Sequence, residues 1–110
     1  MKTAVFISGP YSDKPEANVK EAIKVANKLI DAGFLPLIPH LWHYIEKSNP
    51  KEYDVWLNLS LELLQRADCY LRFGGESKGA DAEEKLAFEL DVPIFHSFED
   101  LLEALPDGNI

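Results

Sequence analysis

Four short apolar, β-prone runs alternate with segments whose apolar residues recur at helical spacing, and this alternation most constrains the fold. Residues 4–7 form the first run, which ends at Ser8-Gly9-Pro10. Over residues 15–32, Val19, Ala22, Ile23, Ala26, Leu29 and Ile30 repeat at helical spacing. Pro15 suits the first turn of that helix, Asp13 its cap and Gly33 its stop. Residues 34–38 read as a second strand, punctuated by Pro36 and Pro39. An aromatic, irregular connection follows over residues 40–53, where no helix is expected. A second helix is predicted over about 52–66, a third strand over 69–73 and a glycine-rich loop over 74–79. A third helix over about 80–90, a fourth strand over 92–95 and a short last helix over 98–105 complete the pattern.

Strands that alternate with helices imply a parallel sheet with right-handed crossovers. With strand order 2-1-3-4, the topological switch point falls between the first and third strands, and ligands bind outside the carboxyl ends of strands at such a point. The two loops that emerge there, residues 8–12 and 74–79, are also the most glycine- and serine-rich strand exits in the chain.

The balance of charge narrows the partner. With 19 acidic and 11 basic side chains, the formal net charge is −8. Such a surface repels polymeric nucleic acid and anionic membranes, though it leaves room for a local spot that holds one phosphate. The 110 residues predict one domain with one core. The lone Cys69 permits no intrachain disulfide and reads as a buried residue of a reducing compartment. No run approaches the ~18 apolar residues of a membrane span, and the first residues show no cleavage pattern. The expectation is a cytoplasmic protein.

Some residues look misplaced. Projected at 100° per residue, the third helix carries Ala80, Leu86, Ala87 and Leu90 on its inward arc, and Glu83 near the middle of that arc. Asp81, Glu84 and Lys85 fall on the solvent side. A carboxylate on a core face is costly. Glu83 therefore pairs with a nearby donor for structural reasons, sits at the helix edge, or is a catalytic group at the bottom of a pocket. The second helix carries Trp56, Leu59, Leu63, Leu64 and Ala67 on its apolar arc, with Ser60 among them. Taken alone, that serine is expected to bond back to the preceding turn.

The loop Gly75-Glu76-Ser77-Lys78-Gly79 matches the nucleophile-elbow spacing G-x-S-x-G, with Asp91 and His96 following in the order a hydrolase triad requires. The chain is too short for the usual sheet and cap of such a hydrolase. The loop reads better as a cradle for an anion or hydroxyl, with Ser77 and backbone N–H groups at a helix N-terminus. His40 and His43 stand three apart, but no third ligand lies at a recognisable spacing, so no metal is expected. His40 is placed at the mouth of the pocket. Trp42, Tyr44, Tyr53 and Trp56 read as core, subunit interface or a stacking surface for a planar base.

Several of these segments together resemble a known family. Ile7-Ser8-Gly9-Pro10-Tyr11-Ser12, Asn18-Val19, Pro39-His40-Leu41, Ala67-Asp68 and Ser77-Lys78-Gly79-Ala80 with Glu83 resemble the nucleoside 2-deoxyribosyltransferase-like proteins, above all their short bacterial and archaeal branch. The resemblance spans about residues 3–96, and the Ser-x-Gly-x-x-x-Glu segment is its most specific part. It implies that Glu83 is the nucleophile at the anomeric carbon of a deoxyribose, forming a covalent glycosyl-enzyme that a second base or water resolves. It also implies that Ser77 contacts the sugar or its 5′-phosphate, that the Ser8-Gly9-Pro10 loop forms another wall, and that sites assemble at the interface of a homodimer or larger homo-oligomer.

Two positions depart from the family's pattern. Phe6 stands where a tyrosine usually orients the glutamate, and Ser60 where an aspartate usually stands. Phenylalanine cannot orient a carboxylate, and serine is a poor proton donor to a leaving base. Tyr11, Asp68 and Asn58 are the candidates to supply the proton instead, with Asp68 also suited to cap the turn into the third strand.

The expectation is thus a small three-layer α/β domain, Rossmann-like or flavodoxin-like, with a parallel sheet of about four strands. Its expected activity is on the N-glycosidic bond of a nucleoside or nucleoside 5′-monophosphate, by 2-deoxyribosyl transfer or hydrolysis, with Glu83 as nucleophile. Ser8, Gly9, Pro10, Tyr11, His40, Ser60, Ser77 and Gly79 would be substrate contacts, and no cofactor is implied. The alternatives are a nucleotide-binding module with weak or lost catalysis, and an interaction protein with a vestigial cleft.

Overall fold

In the computed structural model, which describes residues 1–108, four parallel strands form one sheet: β1 (Ala4–Ser8), β2 (Leu35–Leu37), β3 (Cys69–Arg72) and β4 (Ile94–Phe95), in the order β2-β1-β3-β4. Strand order and direction agree with the sequence reading. The helices are α1 (Pro15–Asp31), α2 (His43–Ser48), α3 (Tyr53–Leu64), α4 (Lys78–Glu89) and α5 (Phe98–Ala104). No helix among the described residues is long and apolar enough to cross a membrane.

The period-two alternation of β1 and β3 makes two cores. Val5, Ile7, Cys69 and Leu71 point to one face, where they meet Ala22, Ala26 and Leu29 of α1 and Leu101 of α5. Phe6 and Tyr70 point to the other, where they meet Leu64 of α3 and Ala87 of α4. All five residues of β1 are buried, which suits a strand covered on both faces. Phe6 and Tyr70 are paired in register, and their rings stack at 6.1 Å and 11°. Cys69 is fully buried, and burial pushes its thiol up to about 12. A thiol reagent is therefore expected to leave the native protein unlabelled and to react only as it unfolds, which a time course with and without denaturant would check.

The structure corrects the sequence reading in four places. The connection over residues 40–53 is not irregular: a 3-10 turn at Pro39–Trp42 runs into α2. Six residues give too little periodicity to mark a helix in the sequence. Asp13 does not cap α1. The N-cap is Lys14, with no side-chain bond, and Asp13 instead accepts a hydrogen bond from Asn18 at 2.7 Å. The apolar arcs are narrower than predicted, since Ile23, Ile30, Leu59 and Leu90 are exposed. β4 is two residues long rather than four.

Asp68 stands at the turn into β3, but its carboxylate accepts from the Ala4 amide of β1 at 2.8 Å rather than from that turn. Asp68→Ala leaves that amide without its acceptor and is expected to cost about 1–2 kcal/mol, readable as a lower urea midpoint with unchanged m-value.

Candidate functional site

β1 and β3 both end at the switch point, and the loops that follow them are pressed together by two glycines. A Cβ at Gly9 would lie 2.5–2.8 Å from ring atoms of Phe73, and one at Gly74 would lie 2.8 Å from Cδ of Pro10. Gly74 also has φ +74°, a conformation that favours glycine. Beside this junction opens a cavity of about 690 Å³, within the range of small-molecule sites. Gly9, Pro10, Tyr11, His40, Ser60, Ser77, Gly79 and Glu83 all line it. Ser8 alone among the expected contacts does not.

Glu83 projects from the inner face of α4 and is only 9% exposed. Ser8, itself 1% exposed, donates to its Oε1 at 2.6 Å. Ser8 thus acts through the carboxylate rather than lining the cavity. Burial pushes the Glu83 carboxyl above its ordinary range, opposed by hydrogen bonds from Ser8 and Ser60 and by the charge of Arg72. No cation lies within ion-pair distance of Glu83 among the described residues. Its support is neutral hydroxyls, which orient the charge without cancelling it.

Phe6 offers no polar atom here, and its in-register neighbour Tyr70 turns its hydroxyl to the Ala80 carbonyl at 3.1 Å. That bond ties the first turn of α4 to β3 and so fixes where Glu83 emerges. Ser60 bonds back to the Leu57 carbonyl at 2.9 Å, as a serine on a helix face is expected to. Its single proton has that carbonyl and the Glu83 carboxylate as competing acceptors.

Ser77 caps α4, accepting from the Ala80 amide at 3.1 Å. The amides of Lys78 and Gly79 then have no acceptor inside the helix. A Cβ at Gly79 would stand 3.1 Å from the Tyr53 hydroxyl. Burial, then the charge of Glu83, raises the pKa of that phenol.

The far wall comes from α2, α3 and the turn before α2. Trp42 and Trp56 face one another at 6.0 Å and 30°, and the Trp56 indole donates to Glu46 at 2.9 Å. The sequence leaves three options for these rings; the 3-10 turn at Pro39–Trp42 brings Trp42 to the cavity and α3 brings Trp56. His43 also lines the cavity and carried no sequence signal beyond its spacing from His40.

The two imidazoles serve different partners. His40 is 7% exposed, its Nε2 lies 3.0 Å from the Pro10 carbonyl, and its Nδ1 is buried with no hydrogen-bond partner among the described residues. Because a carbonyl only accepts, Nε2 carries the proton. Burial lowers the pKa of this histidine and keeps the ring neutral, so Nδ1 presents a lone pair. His43 bonds Tyr11 and Glu16 instead.

The triad reading of the glycine loop fails on geometry, because His96 pairs with Glu84 at 3.0 Å and Ser77 with its own helix. Of the three candidate proton donors, Asp68 is bound at the opposite end of β1 and Asn58 is exposed and outside the cavity lining. Tyr11 is in the cavity.

Residues 3–97 match a family described as a domain of unknown function, DUF7768. No curated protein matches the chain.

Proposed function

The chain belongs to the DUF7768 family, and we propose that it cleaves or transfers the N-glycosidic bond of a deoxynucleoside or its 5′-monophosphate, with Glu83 as nucleophile. The observation that carries this reading is a carboxylate with no ion-pair partner among the described residues, 9% exposed, on the wall of a cavity of about 690 Å³. Retaining such a group against its desolvation cost calls for a use.

In the reaction, a carboxylate oxygen of Glu83 bonds to the anomeric carbon while the carbon–nitrogen bond breaks and its electron pair leaves with the base. The anomeric carbon develops positive charge on the way, and a carboxylate in a poorly hydrated wall stabilises it. Ser8 holds the attacking group in place. The Lys78 and Gly79 amides, with Ser77, suit a sugar hydroxyl or a single phosphate at the start of α4, and the Trp42–Trp56 wall suits a planar base. Water or a second base then resolves the glycosyl ester. We place the protein in the cytoplasm as a homodimer. Exposed Val55 and Leu59 on α3 and Phe88 on α4 offer apolar area for that assembly.

One observation favours a binding module instead: Ser60, where the resemblance implies an aspartate, donates its single proton to the Leu57 carbonyl, with Glu83 as the competing acceptor, and has none to spare for a leaving base. Overnight incubation with a panel of deoxynucleosides and their 5′-monophosphates, followed by chromatography for free base, separates the readings. Release by the parent and none by Glu83→Ala is the expected result. Calorimetric binding without release would point to the binding module, and neither binding nor release to an interaction protein.

A further inference from the structure

Resting on that reading, we propose that Tyr11 is the general acid that protonates the leaving base, and that His43 and Glu16 are its positioning residues, linking it to solvent. Three elements converge to build this chain. Tyr11 stands in the loop after β1, His43 opens α2 and Glu16 lies in the first turn of α1. The Tyr11 hydroxyl is 2.7 Å from Nδ1 of His43, and Nε2 of His43 is 3.1 Å from Oε1 of Glu16. Lys47 holds the same Glu16 oxygen at 3.3 Å.

Hydrogen-bond chemistry gives the chain two states. An ionised carboxylate only accepts, so Nε2 of His43 carries a proton in both. With His43 neutral, Nδ1 takes the phenolic proton in a hydrogen bond and Tyr11 turns lone pairs to the cavity. With His43 protonated, Nδ1 donates to the phenolic oxygen, and the O–H of Tyr11 is free to donate to a bound base. Transfer then balances. The Tyr11 proton goes to the base as the carbon–nitrogen electron pair arrives there, and the Nδ1 proton moves to the phenolic oxygen. His43 ends neutral.

Burial marks the direction of flow. The His43 side chain is 6% exposed and that of Glu16 67%, so the carboxylate stands in solvent while Tyr11 and His43 line the same cavity as Glu83. Burial first, then the charges of Glu46 and Glu16, raises the pKa of the Tyr11 phenol and keeps it in its proton-bearing form. The relay supplies the proton that Ser60 cannot.

The test exploits leaving groups. An unmodified purine needs a proton as it departs, whereas the cationic base of 7-methyl-2′-deoxyguanosine leaves without one. Tyr11→Phe keeps the ring and removes only the hydroxyl. It is expected to lower kcat on unmodified deoxynucleosides about 10²-fold and to leave release of 7-methylguanine within about 3-fold of the parent. Glu16→Gln, an exposed change with little bearing on folding, and His43→Gln are expected to show the same selectivity at about 10-fold, in kcat and not KM. Equal losses on both substrates, or Glu83-dependent release that Tyr11→Phe spares, would overturn the relay alone. No release by the parent from either substrate would overturn the relay together with the reading it rests on.

Discussion

Glu83→Gln is expected to lower base release by about 10³-fold or more and, at neutral pH, to melt above the parent by roughly 4–8 °C, what 1 kcal/mol is worth in a domain of this size. Glutamine matches glutamate in shape and can still accept from Ser8, so geometry is kept while the oxygen proposed as nucleophile is lost. The stability gain follows from the same burial that defines the site. A carboxylate 9% exposed and without an ion-pair partner among the described residues is costly in its charged form, and an amide is not.

The sign of the pH dependence distinguishes this account from simple loss of a contact. Burial raises the folded-state pKa of Glu83 above the ordinary carboxylate range, so the folded protein binds that proton more tightly than the unfolded chain. Stability from the neutral form is fully present below the unfolded value and is lost as pH rises through the folded one. Melting curves of the parent and of Glu83→Gln should therefore nearly coincide at about pH 4 or below and separate as pH rises, the parent falling. Parallel curves across that range would mean that the carboxylate is not destabilised by its surroundings.

How much of this was readable without coordinates differs by residue, for physical reasons. The strand order follows from alternation of strand and helix, and the position of Glu83 from 100° geometry on an eleven-residue window, because both are properties of contiguous sequence. Ser8 as the donor to Glu83 was not readable, since the two lie 75 residues apart and a serine accepts many partners. The same holds for His43, whose partners are 32 and 27 positions away. Ile23 and Ile30 misled in the other direction. They keep helical spacing with the core residues of α1, yet they sit at the margin of its buried stripe, and spacing alone does not say how wide that stripe is. The tryptophan wall depends on the four-residue 3-10 turn that sets Trp42 against Trp56 of α3, too short to announce itself.

Gly9→Val is the change expected to do most damage to fold and site together, at about 2–3 kcal/mol and a fall in Tm of roughly 10 °C or more. The reason is not backbone freedom but proximity. The absent Cβ would meet three atoms of the Phe73 ring at 2.5, 2.6 and 2.8 Å, separations real Cβ atoms do not tolerate. Phe73 cannot swing aside freely, because it packs on the core of β1, α1 and α5 and lies 5.3 Å from the His40 ring, which is anchored to the Pro10 carbonyl. Displacing it moves His40 and the loop that carries Tyr11, so the nucleotide affinity proposed for this cavity should fall along with stability. Calorimetry and thermal melts of Gly9→Val, Phe73→Leu and the double variant would test the cause. The double variant should recover at least half of the loss, a coupling that identifies the ring as the obstacle. Additive losses would mean instead that residue 9 is restricted by something other than Phe73, and that the β1 and β3 loops are not held in register by this contact.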